Sequence, residues 1–160
     1  MANSTFNGPV RSENGFQSIA KSSTTGAVTS TMTLQTYEAT ITIANGATTG
    51  KESAVGIPAN FIPMGVTVAV TTASTNSVNL NDIGTDADTD GYVDGISAAL
   101  NTTGFKGFFG CNGVLGMSGF TTGASGLVGD EVELVVSGDP GSDTVIVLKF
   151  FGISSSSDAS

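Results

Sequence analysis

The sequence predicts an all-β protein, a β-sandwich of jelly-roll type that carries an extended N-terminal arm. Apolar and polar residues alternate over several short segments, a pattern typical of half-buried strands. Gly, Asn, Asp and Pro recur between these segments, as they do in the turns of sandwiches and barrels. No stretch shows the repeat of an amphipathic helix. The jelly roll is the commonest closure of such strands in assemblies, although the pattern does not give the strand order.

The composition fits one folded domain with extensions. Hydrophobic residues make up 39% of the 160 residues and charged residues only 12%, which excludes the low-hydropathy, high-charge class of disordered chains. We expect an N-terminal arm at 1–36, a sandwich domain at 37–153 and a polar tail at 154–160. A surface with so little charge suits a protein whose faces are covered by neighbours, or a β-domain with Thr-rich outer faces.

The predicted arm contains isolated apolar side chains in a polar segment. Pro9 and several glycines interrupt any regular element there. Spaced single anchors suit an extended strap that lies over another protein. The candidate partner-binding residues are therefore Phe6, Val10, Phe16 and Ile19. An arm folded back on its own domain fits the pattern equally well.

Five segments carry the strand pattern after the arm. They are 38–44, 66–71, 78–83, 131–136 and 144–153. Pro58 and Pro63 predict a rigid connection in place of a central strand before the second segment. Residues 96–100 fit either a strand or a single helical turn. The last segment is apolar on both faces apart from Lys149, so it is either central in the sandwich or has its outer face against a partner.

Glycine recurs at every third position from 104 to 119. A collagen helix is not predicted, because the repeat lacks proline and holds apolar residues such as Phe108 and Phe109. The spacing also differs from the glycine motifs that bind nucleotides. We expect glycine-rich strands or loops with closely approaching backbones, and phenylalanines that are buried or at a subunit contact.

The net charge of −9, with only five basic residues, argues against nucleic acid and anionic membrane as partners. The sequence also lacks the roughly 18 continuous apolar residues of a membrane span. Its first residues have neither the basic nor the apolar region of a secretory signal, which predicts synthesis in a cytoplasm.

Catalytic chemistry is not predicted. The sequence has no histidine, which removes the usual general base and the Ser-His and Cys-His arrangements. The single cysteine, Cys111, is interpreted as a small buried hydrophobe. We therefore expect a protein that is not an enzyme.

The segment 82–94 holds five of the fourteen acidic residues. Alternating aspartates followed by a glycine supply the oxygen ligands that calcium needs within one tight turn. The candidate metal ligands are Asp86, Asp88, Asp90 and Asp94, with calcium as the only possible cofactor. Ser97 stands where such loops carry a bidentate Glu. An ordinary exposed turn explains the same residues.

Several segments together resemble known virion proteins. The sequence is similar to the small decoration and head-fibre proteins of tailed phages, especially marine ones, over residues 2–16, 39–43, 68–73, 82–92 and 145–153. The resemblance implies a capsid decoration (cement) protein on the outer shell, often trimeric, whose arm reaches across seams of the major capsid protein lattice. It also implies synthesis in the host cytoplasm. In that class the aspartate-rich segment resembles a turn between strands.

Two functions follow as hypotheses. The first is a cement protein that binds and stabilises the major capsid protein lattice through its arm. The second is a head fibre or a calcium-dependent module that binds surfaces or carbohydrate. Binding that requires residues 1–36 favours the first, and sensitivity to a chelator favours the second.

Overall fold

The computed structural model describes residues 16–52, 61–86, 88–111 and 131–156, with backbone alone at 16, 17, 29, 30 and 154–156. These residues form strands and loops and contain no helix, hence none long and apolar enough to cross a membrane. The described strands are β1 Phe16–Lys21, β2 Val28–Ile43, β3 Thr49–Glu52, β4 Phe61–Thr72, β5 Asn79–Gly84, β6 Ala98–Ala99, β7 Gly104–Gly110, β8 Val132–Val136 and β9 Thr144–Ser156. The prediction of an all-β fold is confirmed.

The described strands form two antiparallel sheets. Sheet A has the order β1-β2-β9-β4-β7 and sheet B has the order β3-β8-β5-β6. Successive strands lie in alternate sheets from β2 to β5 and again from β6 to β9. This alternation interleaves two sets of four strands and is consistent with a β-sandwich, whereas the jelly roll stays a prediction. Strand β1 extends sheet A beside β2.

The core lies between the sheets and follows the two-residue period of the strands. In β2, Ala39, Ile41 and Ile43 are fully buried, whereas Thr40 and Thr42 are exposed. The same alternation along the other long strands builds one hydrophobic cluster. Its members from the other strands include Val66, Val68, Val70, Leu80, Ile83, Val132, Leu134, Val136, Ile146, Leu148 and Phe150.

Strand β2 begins well before the first predicted strand. It runs without interruption from Val28 to Ile43, so the predicted boundary between residues 36 and 37 falls inside it. The described part of the predicted arm, residues 16–36, therefore forms β1, the connecting turn and the first half of β2. An arm that acts on a partner stays a prediction.

The expectation that the prolines exclude a central strand is wrong at Pro63. This residue lies in β4, opposite Gly152 of β9, and a register shift follows it before Gly65. The pairing of β4 with β7 begins at Gly65. Among the described residues no β7 partner lies opposite Pro63, so its missing N–H breaks none of the described ladder bonds. Pro58 lies outside the described residues.

The structure also decides two points that the sequence left open, in the segment 96–100 and in the glycine repeat. Residues 98 and 99 form the short strand β6 beside β5, so this part of the segment 96–100 is extended. Residues 104–110 of the glycine repeat form the edge strand β7. The rest of that repeat, from 112 onward, lies outside the described residues.

Candidate functional site

The acidic loop joins β5 to β6 through a tight turn. The backbone N–H groups of Thr85 and Asp88 each donate to the other's carbonyl oxygen, at 2.8 and 3.1 Å. Gly84 packs directly beneath this turn, where a Cβ atom would overlap the carbonyl oxygen of Asp88. Backbone contacts therefore hold this turn tightly against the end of β5.

The structure brings together two of the four predicted metal ligands. A hydrogen bond with Asp90 raises the pKa of the Asp88 carboxyl, with smaller contributions from burial and from the charge of Asp90. Asp86 forms an ion pair with Lys51 of β3 instead. In the described part of the chain no group of three or more acidic, Cys or His side chains is placed to hold a metal ion. Calcium binding by Asp86, Asp88, Asp90 and Asp94 stays a prediction.

Sequence reasoning missed the basic partner of this loop. Lys51 lies opposite Glu133 in the pairing of β3 with β8, and its Nζ atom is 3.8 Å from Oε2 of that buried residue. The cation thus sits between a buried carboxylate and the exposed Asp86. Only the strand order places Lys51 there, so no local signal in the sequence could have found it.

The described part of the predicted arm forms a ribbon, by which we mean β1 and residues 28–36 of β2. The described side chains from 31 to 37 are half-buried or exposed, and full burial begins at Ala39. Ile19 of β1 is 47% exposed and lies opposite Thr31. Phe16 begins β1 opposite Leu34. The other two predicted partner-binding residues, Phe6 and Val10, lie outside the described residues.

A second apolar surface covers the side of sheet A that faces away from the core, which we call the outer face. The side chains on it alternate with the core residues of β2, β9, β4 and β7. Its apolar members are Met32, Leu34, Ile62, Met64, Ala69, Phe105, Phe108, Val145, Val147, Phe151 and Ile153. Among the described strands of sheet A, Glu38 and Lys149 are its only charged residues apart from those at the β1 and β7 edges, and they pair at 3.0 Å.

The strand pairing makes these apolar residues neighbours. Leu34 of β2 lies opposite Ile153 of β9, which in turn lies opposite Ile62 of β4. One step along, Phe151 lies opposite Gly65, and the ring of Phe108 covers Gly65 so closely that a Cβ atom there would overlap it. The sequence indicated an apolar outer face only for β9. It did not indicate the contributions of β2, β4 and β7, because strand order decides them.

The single thiol is placed for packing. Cys111 directly follows β7 and is buried in the core cluster. Burial raises its pKa to about 12, so the group is a protonated thiol near neutral pH and a poor nucleophile.

Comparison with known proteins adds little to this geometry. No protein-family model matches the sequence, and no curated protein matches it. Among solved structures, a chain of the cyanophage Pam1 capsid asymmetric unit aligns with a TM-score of 0.43 and 17% sequence identity, covering 93% of each chain. A similarity this low assigns neither fold nor function.

Proposed function

We propose that this protein is a virion structural protein, a decoration or cement protein on the outer shell of a tailed-phage capsid, which binds and stabilises the major capsid protein lattice. The sequence resemblance to phage decoration proteins supports the class. One structural observation supports the mode of binding: the ribbon continues sheet A beyond the buried core, with Ile19 exposed and no side chain from 31 to 37 fully buried.

The charge distribution supports an orientation on the shell. Residues 1–36 carry two basic and one acidic side chain, whereas residues 37–160 carry three basic and thirteen acidic ones. Within the ribbon the only charged side chain is Lys21, whereas the sandwich is strongly acidic. Docking through the ribbon points the acidic sandwich away from the capsid surface.

The proposed mechanism is mechanical. Each copy contributes a weak contact, and the symmetry of the shell repeats that contact many times. Bridging copies then resist the separation of neighbouring capsid subunits under internal pressure. The trimeric state implied by the resemblance remains part of this proposal.

Co-sedimentation with capsids that lack this protein tests the proposal. Wild type should bind saturably. Ile19→Asp should weaken binding at least tenfold, because it places a charge on the exposed apolar position of the ribbon. Thr24→Asp, which adds the same charge in the exposed turn between β1 and β2, is the matched control and should bind as wild type does. Absence of wild-type binding contradicts the function, and full binding by Ile19→Asp contradicts the role of the ribbon.

A calcium-dependent surface- or carbohydrate-binding module, as in a head fibre, is the second candidate. It is favoured by the contact of Asp88 with Asp90, whose mutual repulsion a divalent cation would relieve. The adjacent Thr85 hydroxyl is buried without a hydrogen-bond partner among the described residues. This candidate requires that calcium raise the melting temperature and that Asp88→Asn remove the rise. No change in wild type on adding calcium or EDTA would exclude it.

A further inference from the structure

The outer face of sheet A carries more apolar side chains than a solvent-facing sheet normally does, although threonines of β2 and β4 also lie on it. Antiparallel sheets with one wet side show polar residues on that side. Here Phe105 and Phe108 of β7 and Met64 of the adjoining strand β4 are 69%, 59% and 43% exposed, respectively. Contiguous exposed apolar surface of this kind marks an interaction site.

The face is also rigid before any partner arrives. Three of its strands, β2, β9 and β4, lie inside sheet A and hold the core on their other side. The ring of Phe108 is seated on Gly65, which fixes one of the largest exposed side chains. A preformed surface loses little conformational entropy on binding.

The size of the face matches what a specific protein contact needs. Four strands at about 4.8 Å spacing, and roughly nine residues of each at about 3.3 Å, give a flat area of roughly 550–600 Å². Side-chain relief increases the accessible area beyond this value. A standard interface buries about 800 Å² on each partner.

The charges on the face indicate which partner fits. The chain as a whole carries −9, so most contacts between two copies would bring negative surfaces together. The interior of the outer face instead carries one acid and one base, Glu38 and Lys149, already paired at 3.0 Å. Two copies meet there without net repulsion, and each ion pair can exchange partners across the contact.

We propose that the outer face of sheet A is covered by a second copy of this chain. Apolar residues of β4, β7 and β9 form the centre of the contact, and the Glu38–Lys149 pairs lie beside it. The contact forms in the free protein and does not depend on binding to capsids.

Sedimentation equilibrium of purified protein between about 1 and 100 μM tests this inference. Wild type should show a mass that is a multiple of 15.9 kDa. Phe105→Glu should weaken association at least tenfold, because a central aromatic contact is worth a factor of about ten or more. Asn101→Glu adds the same charge in the exposed loop before β7, and it should associate as wild type does.

A milder variant controls for misfolding of Phe105→Glu. Phe105→Ser adds no charge and should also weaken association, with an unchanged circular dichroism spectrum. The inference is overturned if wild type stays monomeric at 100 μM. That result is expected if another segment of the chain covers the outer face. It is also overturned if both Phe105→Glu and Phe105→Ser associate as wild type does. None of these outcomes bears on capsid binding, which is measured separately.

Discussion

Phe150 and Phe151 are adjacent phenylalanines with opposite environments, and their replacement by Ala provides the sharpest test of the fold. Phe150 is fully buried, and its ring meets Tyr92 edge-on at a centroid distance of 5.4 Å. Phe151 points to the outer face and is 36% exposed. The two substitutions remove the same atoms from neighbouring positions of one strand, so each is the control for the other.

The expected costs differ several-fold. Truncating a buried Phe to Ala costs about 3–5 kcal/mol, and the loss of the aromatic pair, worth about 0.5–1.5 kcal/mol, places Phe150 in the upper part of that range. Phe150→Ala should therefore reduce the free energy of unfolding by about 4–5 kcal/mol. Phe151 leaves no closed cavity, and the apolar surface it covers is worth about 1–2 kcal/mol.

Urea unfolding and scanning calorimetry at low micromolar concentration measure both costs. For a chain of this size each kcal/mol lowers the melting temperature by about 2–4 °C, so the losses should be about 8–20 °C for Phe150→Ala and 2–8 °C for Phe151→Ala. A slip of β9 by one residue would exchange the two environments. Equal costs, or a larger cost for Phe151→Ala, would therefore refute the register described here.

Three further predictions concern single groups. Gly84→Ala should lose about 1–3 kcal/mol in urea unfolding, because its Cβ would overlap backbone that cannot move aside; Gly138→Ala, where a Cβ has ordinary room, should be close to neutral. Two backbone N–H groups, that of Gly141 first, lower the pKa of Asp139 in the folded protein. The lowered pKa stabilises the folded protein at pH values above the ordinary carboxyl pKa. This stabilisation is lost as the pH falls through the lowered pKa. The urea midpoints of wild type and Asp139→Asn should therefore differ at pH 7 and converge in acid. If the difference between the two urea midpoints stayed the same at low pH, the lowered pKa of Asp139 would not be its cause. Cys111 should resist iodoacetamide in the native protein at pH 8 and react after unfolding, because with a pKa of about 12 only about one thiol in 10,000 is ionised.

The parts of the fold that the sequence predicted are those in which local pattern and burial coincide. The alternation from Ala39 to Ile43 placed the core residues of β2 correctly. One of the two alternatives for the apolar run 144–153, a central strand, matches the position of β9 between β2 and β4. The first half of β2 was missed because its apolar residues, Met32 and Leu34, point to the outer face. These residues and the buried residues from Ala39 onward lie on opposite faces of β2, so the two-residue period changes phase within the strand.

The remaining features depend on strand order, which local pattern does not contain. Pro63 lies in β4 ahead of the residues that pair with β7 in the described part of the chain, and beside a register shift in the pairing with β9. The ion pair of Lys51 with Asp86 requires β3 to lie beside β8. The charge density of the acidic loop was evident in the sequence, but the pairing of each carboxylate was not.

The position of β9 has a consequence for how the protein folds. It lies between β2 and β4 in sheet A and pairs with both along most of its length, yet it follows the eight other strands that the structure describes. During synthesis, β2 and β4 therefore lack their central neighbour β9, which begins more than a hundred residues after the start of β2. Pairings so distant in sequence form slowly, and until they form the apolar sides of β2 and β4 lack cover. We expect chains that stop before residue 144 to aggregate or to require a chaperone, because without β9 they cannot form a smaller version of the same sheet.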